Sequence, residues 1–176
     1  MLGILELIVN AVASLLAGVM LLRFWMQAVR VRPPESLSHF VFTLSDWLVR
    51  PLRRIVPGVG GYDWASLIGA FLIIALSTTV FLLVPGADMA TLAKLACFRF
   101  LSWILYGLML LLIVEAIFSW INPRAPLAPF VLALNLPVLR PLRRVVPLVG
   151  GIDLSFLVAV VLIQVAQHLL GMLFYS

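Results

Sequence analysis

The sequence predicts an all-α membrane protein with four transmembrane helices, arranged as two tandem repeats of the same orientation. Three observations lead to this prediction. Of 176 residues, 64% are hydrophobic and only 11% are charged, whereas an average soluble domain is about 25% charged. Four apolar stretches have the length of roughly twenty residues that a helix needs to cross a bilayer. A basic motif occurs twice. This composition excludes a soluble enzyme, a disordered protein and a secreted disulfide scaffold.

The predicted spans lie at residues 4–27, 64–84, 97–121 and 154–175. Pro85-Gly86 ends the second span and Asn122-Pro123 ends the third, because proline removes a backbone donor and interrupts a helix. Unbroken apolar runs favour helices over the alternating segments of a membrane β-barrel. No Lys or Arg precedes the first apolar run. We therefore expect a retained first helix and not a cleaved signal peptide.

Basic residues are concentrated in the first and third predicted loops. These loops carry nine arginines, at positions 30, 32, 50, 53, 54, 124, 140, 143 and 144, whereas the second loop has only Lys94. Cations favour the cytoplasmic side of a membrane. We therefore expect both basic loops in the cytoplasm and both termini outside, in the bacterial inner membrane. With a net charge of +5, the expected partner is anionic lipid, not nucleic acid.

The basic motif defines an internal repeat. Residues 50–67 read RPLRRIVPGVGGYDWASL and residues 140–157 read RPLRRVVPLVGGIDLSFL, with 12 of 18 positions identical at an offset of 90. We call residues 1–90 the first half and residues 91–176 the second half. Each half has a span, a cytoplasmic amphipathic segment, the motif and a returning span. Two spans per half give both halves the same orientation, unlike the inverted repeats of many transporters.

The motif residues have separate predicted roles. We expect the six arginines to bind anionic headgroups through their guanidinium groups, or alternatively only to fix the topology; they are Arg50, Arg53, Arg54, Arg140, Arg143 and Arg144. Gly60-Gly61 and Gly150-Gly151 are predicted to form turns, since glycine tolerates positive φ. Asp63 and Asp153 are predicted to cap the spans that follow them.

An amphipathic helix is predicted before each motif, in the plane of the membrane interface. Its apolar positions in the first half are Leu37, Phe40, Val41, Leu44 and Leu48, opposite the polar positions Ser38, Ser45 and Asp46. The second half has prolines at positions 126, 129 and 137 of the corresponding segment. We therefore expect that helix to be shorter or broken.

Polar groups inside the spans need partners, because an ionisable side chain in hydrocarbon is costly. Arg23 and Glu115 lie at comparable depths in the first and third spans, and one hypothesis pairs them across the two halves. Alternatively, Arg23 extends its guanidinium to the interface. Gln164, Gln167 and His168 share one face of the fourth span. That pattern favours hydrogen bonds between helices over a polar pathway or haem ligation.

The pattern Ser-Trp-Ile-Asn-Pro (119–123), Arg-Pro-Leu-Arg-Arg (140–144) and Gly-Gly-Ile-Asp-Leu-Ser (150–155) resembles the YggT family and the related YlmG proteins of bacteria and plastids. The likeness covers nearly the whole chain, once per half. The first half departs from this pattern, because it has Ala-Val-Arg-Val-Arg-Pro-Pro where the second half has Ser-Trp-Ile-Asn-Pro. Any dedicated role of the Ser-Trp-Ile-Asn-Pro segment would therefore belong only to Ser119, Trp120, Asn122 and Pro123.

The resemblance implies integral membrane proteins with no established catalytic activity. It associates them with osmotic and ion homeostasis, with cell division and nucleoid distribution, and in plastids with assembly of a b-type cytochrome. It carries no catalytic residues over to this chain.

The sequence favours a non-enzymatic membrane scaffold or assembly factor whose arginine motifs bind anionic lipid. Its partners would be other membrane proteins or further copies of the chain. The alternative is a component of an ion transport or osmotic-stress system, with a pathway formed by the two halves or by an oligomer. We expect no catalytic residues, no metal and no cofactor. The single Cys97 excludes an intrachain disulfide, and the sequence shows no nucleophile paired with a base.

Overall fold

The protein is all-helical in the computed structural model, which describes residues 2–81, 88–146 and 153–175. These residues form six helices: α1 Leu2–Val29, α2 Glu35–Ile55, α3 Trp64–Phe81, α4 Met89–Ile121, α5 Ala128–Val145 and α6 Ser155–Tyr175. The predicted fold class is confirmed at this level. An isolated β-bridge joins Val59 and Tyr62 in the turn between α2 and α3.

Three helices in the described residues are long and apolar enough to cross a membrane, over Leu7–Val29, Met89–Ile121 and Ser155–Phe174. They correspond to the first, third and fourth predicted spans. The second predicted span, residues 64–84, coincides with α3, which is apolar but shorter than the other three. Residues 82–84 of that prediction lie outside the described residues.

Helix α4 starts eight residues before the predicted start of the third span, at Met89 instead of Cys97. Residues 89–96 consist mostly of Ala, Leu, Met and Lys, which favour a helix. The 33 residues of α4 extend about 50 Å, more than the hydrocarbon thickness of about 30 Å. If the C-terminal part of α4 crossed a hydrocarbon layer, the first turns of the helix, which include Lys94, would therefore lie outside that layer.

Helices α2 and α5 are the two amphipathic segments. The prediction that the second is shorter or broken is confirmed in its first form, because α5 has 18 residues and α2 has 21. Helix α5 is nevertheless unbroken through Pro137 and Pro141. Each proline removes only one backbone donor, and the buried side chains of Phe130 and Leu134 hold the helix against the bundle.

The structure differs from the prediction in which side of α2 is buried. Val41, Ser45 and Val49 are fully buried at successive intervals of four residues, whereas Ser45 was predicted to lie on the polar, outward side. The apolar residue Phe40 is instead half exposed. The reason is that the buried side of α2 packs onto α1 and α3, where a charged side chain of α1 requires polar partners.

The helices pack into three hydrophobic clusters. One joins α1, α2 and α3 around Met20 and Val49. Another joins α4, α5 and α6 around Leu112 and Leu139. The third connects the two groups, because Met26 of α1 and Val41 of α2 are clustered with Leu134 of α5. The ends of α2 and α5 are thereby placed beside the starts of α3 and α6.

Candidate membrane-interface site

Arg53 and Asp63 form a two-point ion pair between the end of α2 and the start of α3. Arg53 donates from Nε to Oδ1 at 3.1 Å and from Nη2 to Oδ2 at 2.6 Å. The chain reverses direction between them at Gly60 and Gly61, which have φ angles of 69° and 82°. Side chains with a Cβ rarely adopt such angles. The turn therefore places Asp63 within hydrogen-bond distance of Arg53.

Arg23 enters the same group of residues from α1 and is almost fully buried, with 4% of its side chain exposed. Its Nη1 donates to Ser45 Oγ at 2.6 Å and to Asp46 Oδ1 at 2.7 Å. Its Nε lies 3.3 Å from Asp63 Oδ2. We call Arg23, Ser45, Asp46, Arg53 and Asp63 the first polar cluster, in which two carboxylates face two guanidinium groups.

The cations of the first polar cluster keep its carboxylates ionised. Burial tends to raise the pKa of Asp63, but hydrogen bonds from Arg53 and Ser66 outweigh it, so the pKa lies below its ordinary value of 3.8. The pKa of Asp46 is lowered in the same way, with burial opposed by Arg23 and Arg50. The Asp63 hydrogen bond raises the pKa of Arg53. Both carboxylates are therefore ionised at neutral pH.

The second half has a related group of residues with a different charge. Arg143 Nε donates to Asp153 Oδ2 at 2.8 Å, while its Nη2 lies 3.8 Å from Glu115 Oε1. Asn135 Nδ2 donates to Glu115 Oε2 at 2.6 Å and to the Leu111 carbonyl at 2.9 Å. We call Glu115, Asn135, Arg143 and Asp153 the second polar cluster. It has two carboxylates for one guanidinium group.

The structure gives Arg23 and Glu115 separate partners instead of joining them as the sequence hypothesis supposed. Arg23 pairs with Asp46 and Asp63, and Glu115 contacts Asn135 and Arg143. The physical reason is proximity, since α2 and α5 each place polar side chains against the charged residue of their own half. Neither charge needs to reach across the bundle.

The six motif arginines divide into two groups. Arg53 and Arg143 are directed to Asp63 and Asp153. All six are exposed, but the remaining four do not contact these aspartates: Arg50, Arg54, Arg140 and Arg144. Of these, Arg50 is 77% exposed and also contacts Asp46 at 2.7 Å. A large aliphatic side chain directly follows the last arginine of each motif and is similarly exposed, Ile55 at 79% and Val145 at 82%.

The aspartates of the two motifs contact their following helices differently. Asp153 Oδ1 accepts the backbone N–H of Ser155 at 2.9 Å, an interaction typical of a helix cap. The Asp63 carboxylate accepts instead from the Ser66 hydroxyl at 2.6 Å, and its backbone carbonyl accepts from the Ser66 N–H. Gly150 and Gly151 lie outside the described residues.

Sequence reasoning did not identify several polar contacts. Ser45 and Asn135 occupy matching positions at the offset of 90. A polar residue at the same place in both copies, among apolar neighbours, could have indicated that both side chains are buried and hydrogen-bonded. Arg99 donates to Asn10 at 2.8 Å and to Thr78 at 3.2 Å, which ties α4 to α1 and α3. Trp25 Nε1 donates to the Leu134 carbonyl at 3.0 Å and ties α1 to α5.

The remaining candidates lie apart from both polar clusters. Gln164 and His168 are exposed on α6. Trp120 is also exposed, and Asn122 Oδ1 accepts the backbone N–H of Arg124 at 3.2 Å. No group of three or more His, Cys, Asp or Glu residues suited to a metal occurs among the residues that the structure describes.

Comparison with known proteins places this arrangement in a family. The CCB3/YggT family matches the chain over residues 1–84 and 95–174. The uncharacterized protein YggT of Escherichia coli K12 is 33% identical over 172 residues, covering 92% of this chain and 86% of its own length. An uncharacterized protein encoded 3' of proC in Vibrio alginolyticus is 30% identical over 175 residues, covering 95% and 93%.

A third relative, an uncharacterized protein of Pseudomonas aeruginosa, is 34% identical over 158 residues, covering 84% of this chain and 78% of its own length. No solved structure matches the chain. Since the family match extends over both halves and includes both polar clusters, the chain belongs to the CCB3/YggT family.

Proposed function

We propose that this protein is an integral protein of the bacterial cytoplasmic membrane with four spans, α1, α3, α4 and α6. The two halves insert in the same orientation, with both arginine motifs at the cytoplasmic surface and both termini outside. The apolar character of these helices supports the spans. The Arg53–Asp63 and Arg143–Asp153 pairs support equivalent halves, because each joins an amphipathic helix to the next apolar helix.

The two motifs bind anionic lipid headgroups through the exposed arginines at positions 50, 54, 140 and 144. The observation that carries this proposal is the exposed aliphatic residue directly after each arginine pair, Ile55 in one motif and Val145 in the other. An apolar side chain can enter the acyl region while a neighbouring guanidinium group contacts phosphate. Arg53 and Arg143 have a different role, since they fix the angle of each motif.

The protein acts as a scaffold without enzymatic activity, which holds lipid at its cytoplasmic surface and presents its helices to other membrane proteins. In support, Asp63 in the first polar cluster contacts Arg53, and Glu115 in the second contacts Asn135. Each of these contacts links two helices of the same half, so a role in stabilising the fold accounts for both acidic groups. Affinity capture from lipid nanodiscs tests the scaffold directly, since a stable membrane-protein partner is expected.

Native mass spectrometry of the full-length protein tests lipid binding. The protein is released from nanodiscs of mixed phosphatidylcholine and phosphatidylglycerol, and the retained lipids are counted. The test variant is Arg54→Gln with Arg144→Gln. The matched control is Arg32→Gln with Arg124→Gln, which removes the same charge from exposed positions outside the motifs.

We expect the wild-type protein to retain phosphatidylglycerol preferentially. Each motif of the test variant loses one cation, so at about 1 kcal/mol per cation it should bind the lipid about fivefold more weakly, with a much smaller loss in the control. Equal losses in the two variants would show that general positive charge attracts the lipid and that the motif has no special role.

A further inference from the structure

Helix α6 carries a polar face that is directed away from the rest of its own chain. Gln164 lies near the middle of the 21 residues of α6, and His168 follows one turn later. Both are exposed, as are Leu157 and Val161 on the same side of the helix. The buried side of α6 instead packs through Ala159 and Ile163 against α4 and α5.

Gln164 and His168 lack hydrogen-bond partners within the part of the chain that the structure describes. Neither Gln164 nor His168 makes a hydrogen bond among residues 2–81, 88–146 and 153–175. Lipid tails offer no hydrogen bonds, so a carboxamide or imidazole facing hydrocarbon is unfavourable. Polar residues in membrane helices are instead satisfied by side chains of a neighbouring helix. The face therefore requires a partner helix from another chain.

We propose that the partner is a second copy of this chain, with α6 packed against α6 across a two-fold axis along the membrane normal. All copies insert in one orientation, so this axis places each residue of α6 opposite itself at the same depth. A carboxamide both donates and accepts hydrogen bonds, so Gln164 can pair with Gln164 of the second copy. The inference rests on the proposed span of α6 but not on lipid headgroup binding.

Gly171 favours close approach of the two helices. It lies seven residues after Gln164 and so on the same face. A Cβ atom built at Gly171 would have no neighbour within 4 Å, so the backbone there is open. Small residues at such positions allow membrane helices to approach closely.

Disulfide crosslinking of full-length protein in liposomes tests the proposal, in a Cys97→Ser background. Val161→Cys introduces a thiol about 60° around α6 from Gln164, on the polar side of the helix. Leu162→Cys is the matched control, since Leu162 is equally exposed but lies about 160° from Gln164. We expect a crosslinked dimer for the Val161 variant and none for the Leu162 variant, and the reverse or equal crosslinking would overturn the proposal.

Energy transfer between donor-labelled and acceptor-labelled copies, measured while the protein is diluted with lipid, gives the strength of association. Each lost hydrogen bond should weaken the dimer about threefold. Gln164→Leu combined with His168→Leu should therefore weaken it about tenfold, whereas Gln164→Asn should retain it. A monomer at every dilution, an unchanged dimer in the leucine variant, or crosslinking in cells to a different protein in place of a second copy would contradict the inference.

Discussion

The guanidinium group of Arg53 contacts both carboxylate oxygens of Asp63, at 3.1 and 2.6 Å. At the same motif positions in the second half, Arg143 contacts Asp153 at 2.8 Å. In each case ten residues separate the partners, and the pair connects the end of an amphipathic helix to the start of the following apolar helix. Arg53 and Arg143 therefore stabilise the fold, whereas Arg54 and Arg144, which directly follow them, are exposed and do not contact these aspartates.

Arg53→Gln should destabilise the protein more than Arg54→Gln, although the two variants lose the same charge at adjacent positions. Loss of Arg53 deprives the buried Asp63 carboxylate of two charge-assisted hydrogen bonds. We expect a cost of about 1–2 kcal/mol, kept low because Arg53 is 45% exposed. Arg54→Gln should change stability by less than about 0.5 kcal/mol. Thermal unfolding in nanodiscs measures the stability of both variants. Equal losses of stability would count against a stabilising role of the Arg53–Asp63 pair.

Arg23→Leu should be among the most damaging single changes in the first half. It would leave Asp46 and Asp63 without their shared, buried cation, which typically costs about 3–5 kcal/mol. Glu115→Leu should cost less, because Glu115 is more exposed and lies 3.8 Å from its cation. Because the two residues have separate partners, the double variant should show additive losses within about 0.5 kcal/mol. A larger coupling energy would indicate a contact between them.

Stability should fall as the pH is lowered through the acid range. The pKa of Asp63 in the folded protein lies below its ordinary value of 3.8, so the ionised carboxylate stabilises the folded state above that value. This contribution is lost as protonation proceeds below about pH 4. Unfolding midpoints between about pH 6 and pH 3 should drop in the wild type and drop less in Asp63→Asn. Parallel curves would show that Asp63 does not contribute.

Apolar patterning predicted the helices well, because a run of about twenty apolar residues has few alternatives to a membrane helix. The boundaries were less accurate. Helix α4 begins at Met89 because Ala, Leu and Lys continue a helix readily outside an apolar run. The glycine pair and Asp63 were recognised as a turn and a helix start from residue type alone.

The pairing of side chains could not be predicted from sequence. Arg23 and Glu115 were matched by depth, but depth along a helix does not reveal which neighbouring helix a side chain faces. The position of Asp46 decided the outcome, since α2 turns Ser45 and Asp46 toward α1. The contact between Arg53 and Asp63 likewise depends on how far the chain turns back at Gly60 and Gly61, which residue spacing does not specify.

We propose above that both arginine motifs lie on the cytoplasmic side of one membrane. Single cysteines introduced as Arg54→Cys, Arg144→Cys and Lys94→Cys test it most directly. The background is Cys97→Ser, because Cys97 is itself exposed. Intact cells are treated with a membrane-impermeant maleimide before and after permeabilisation. We expect labelling at position 94 in intact cells and at positions 54 and 144 only after permeabilisation, whereas labelling of 54 and 144 from opposite sides would overturn this topology.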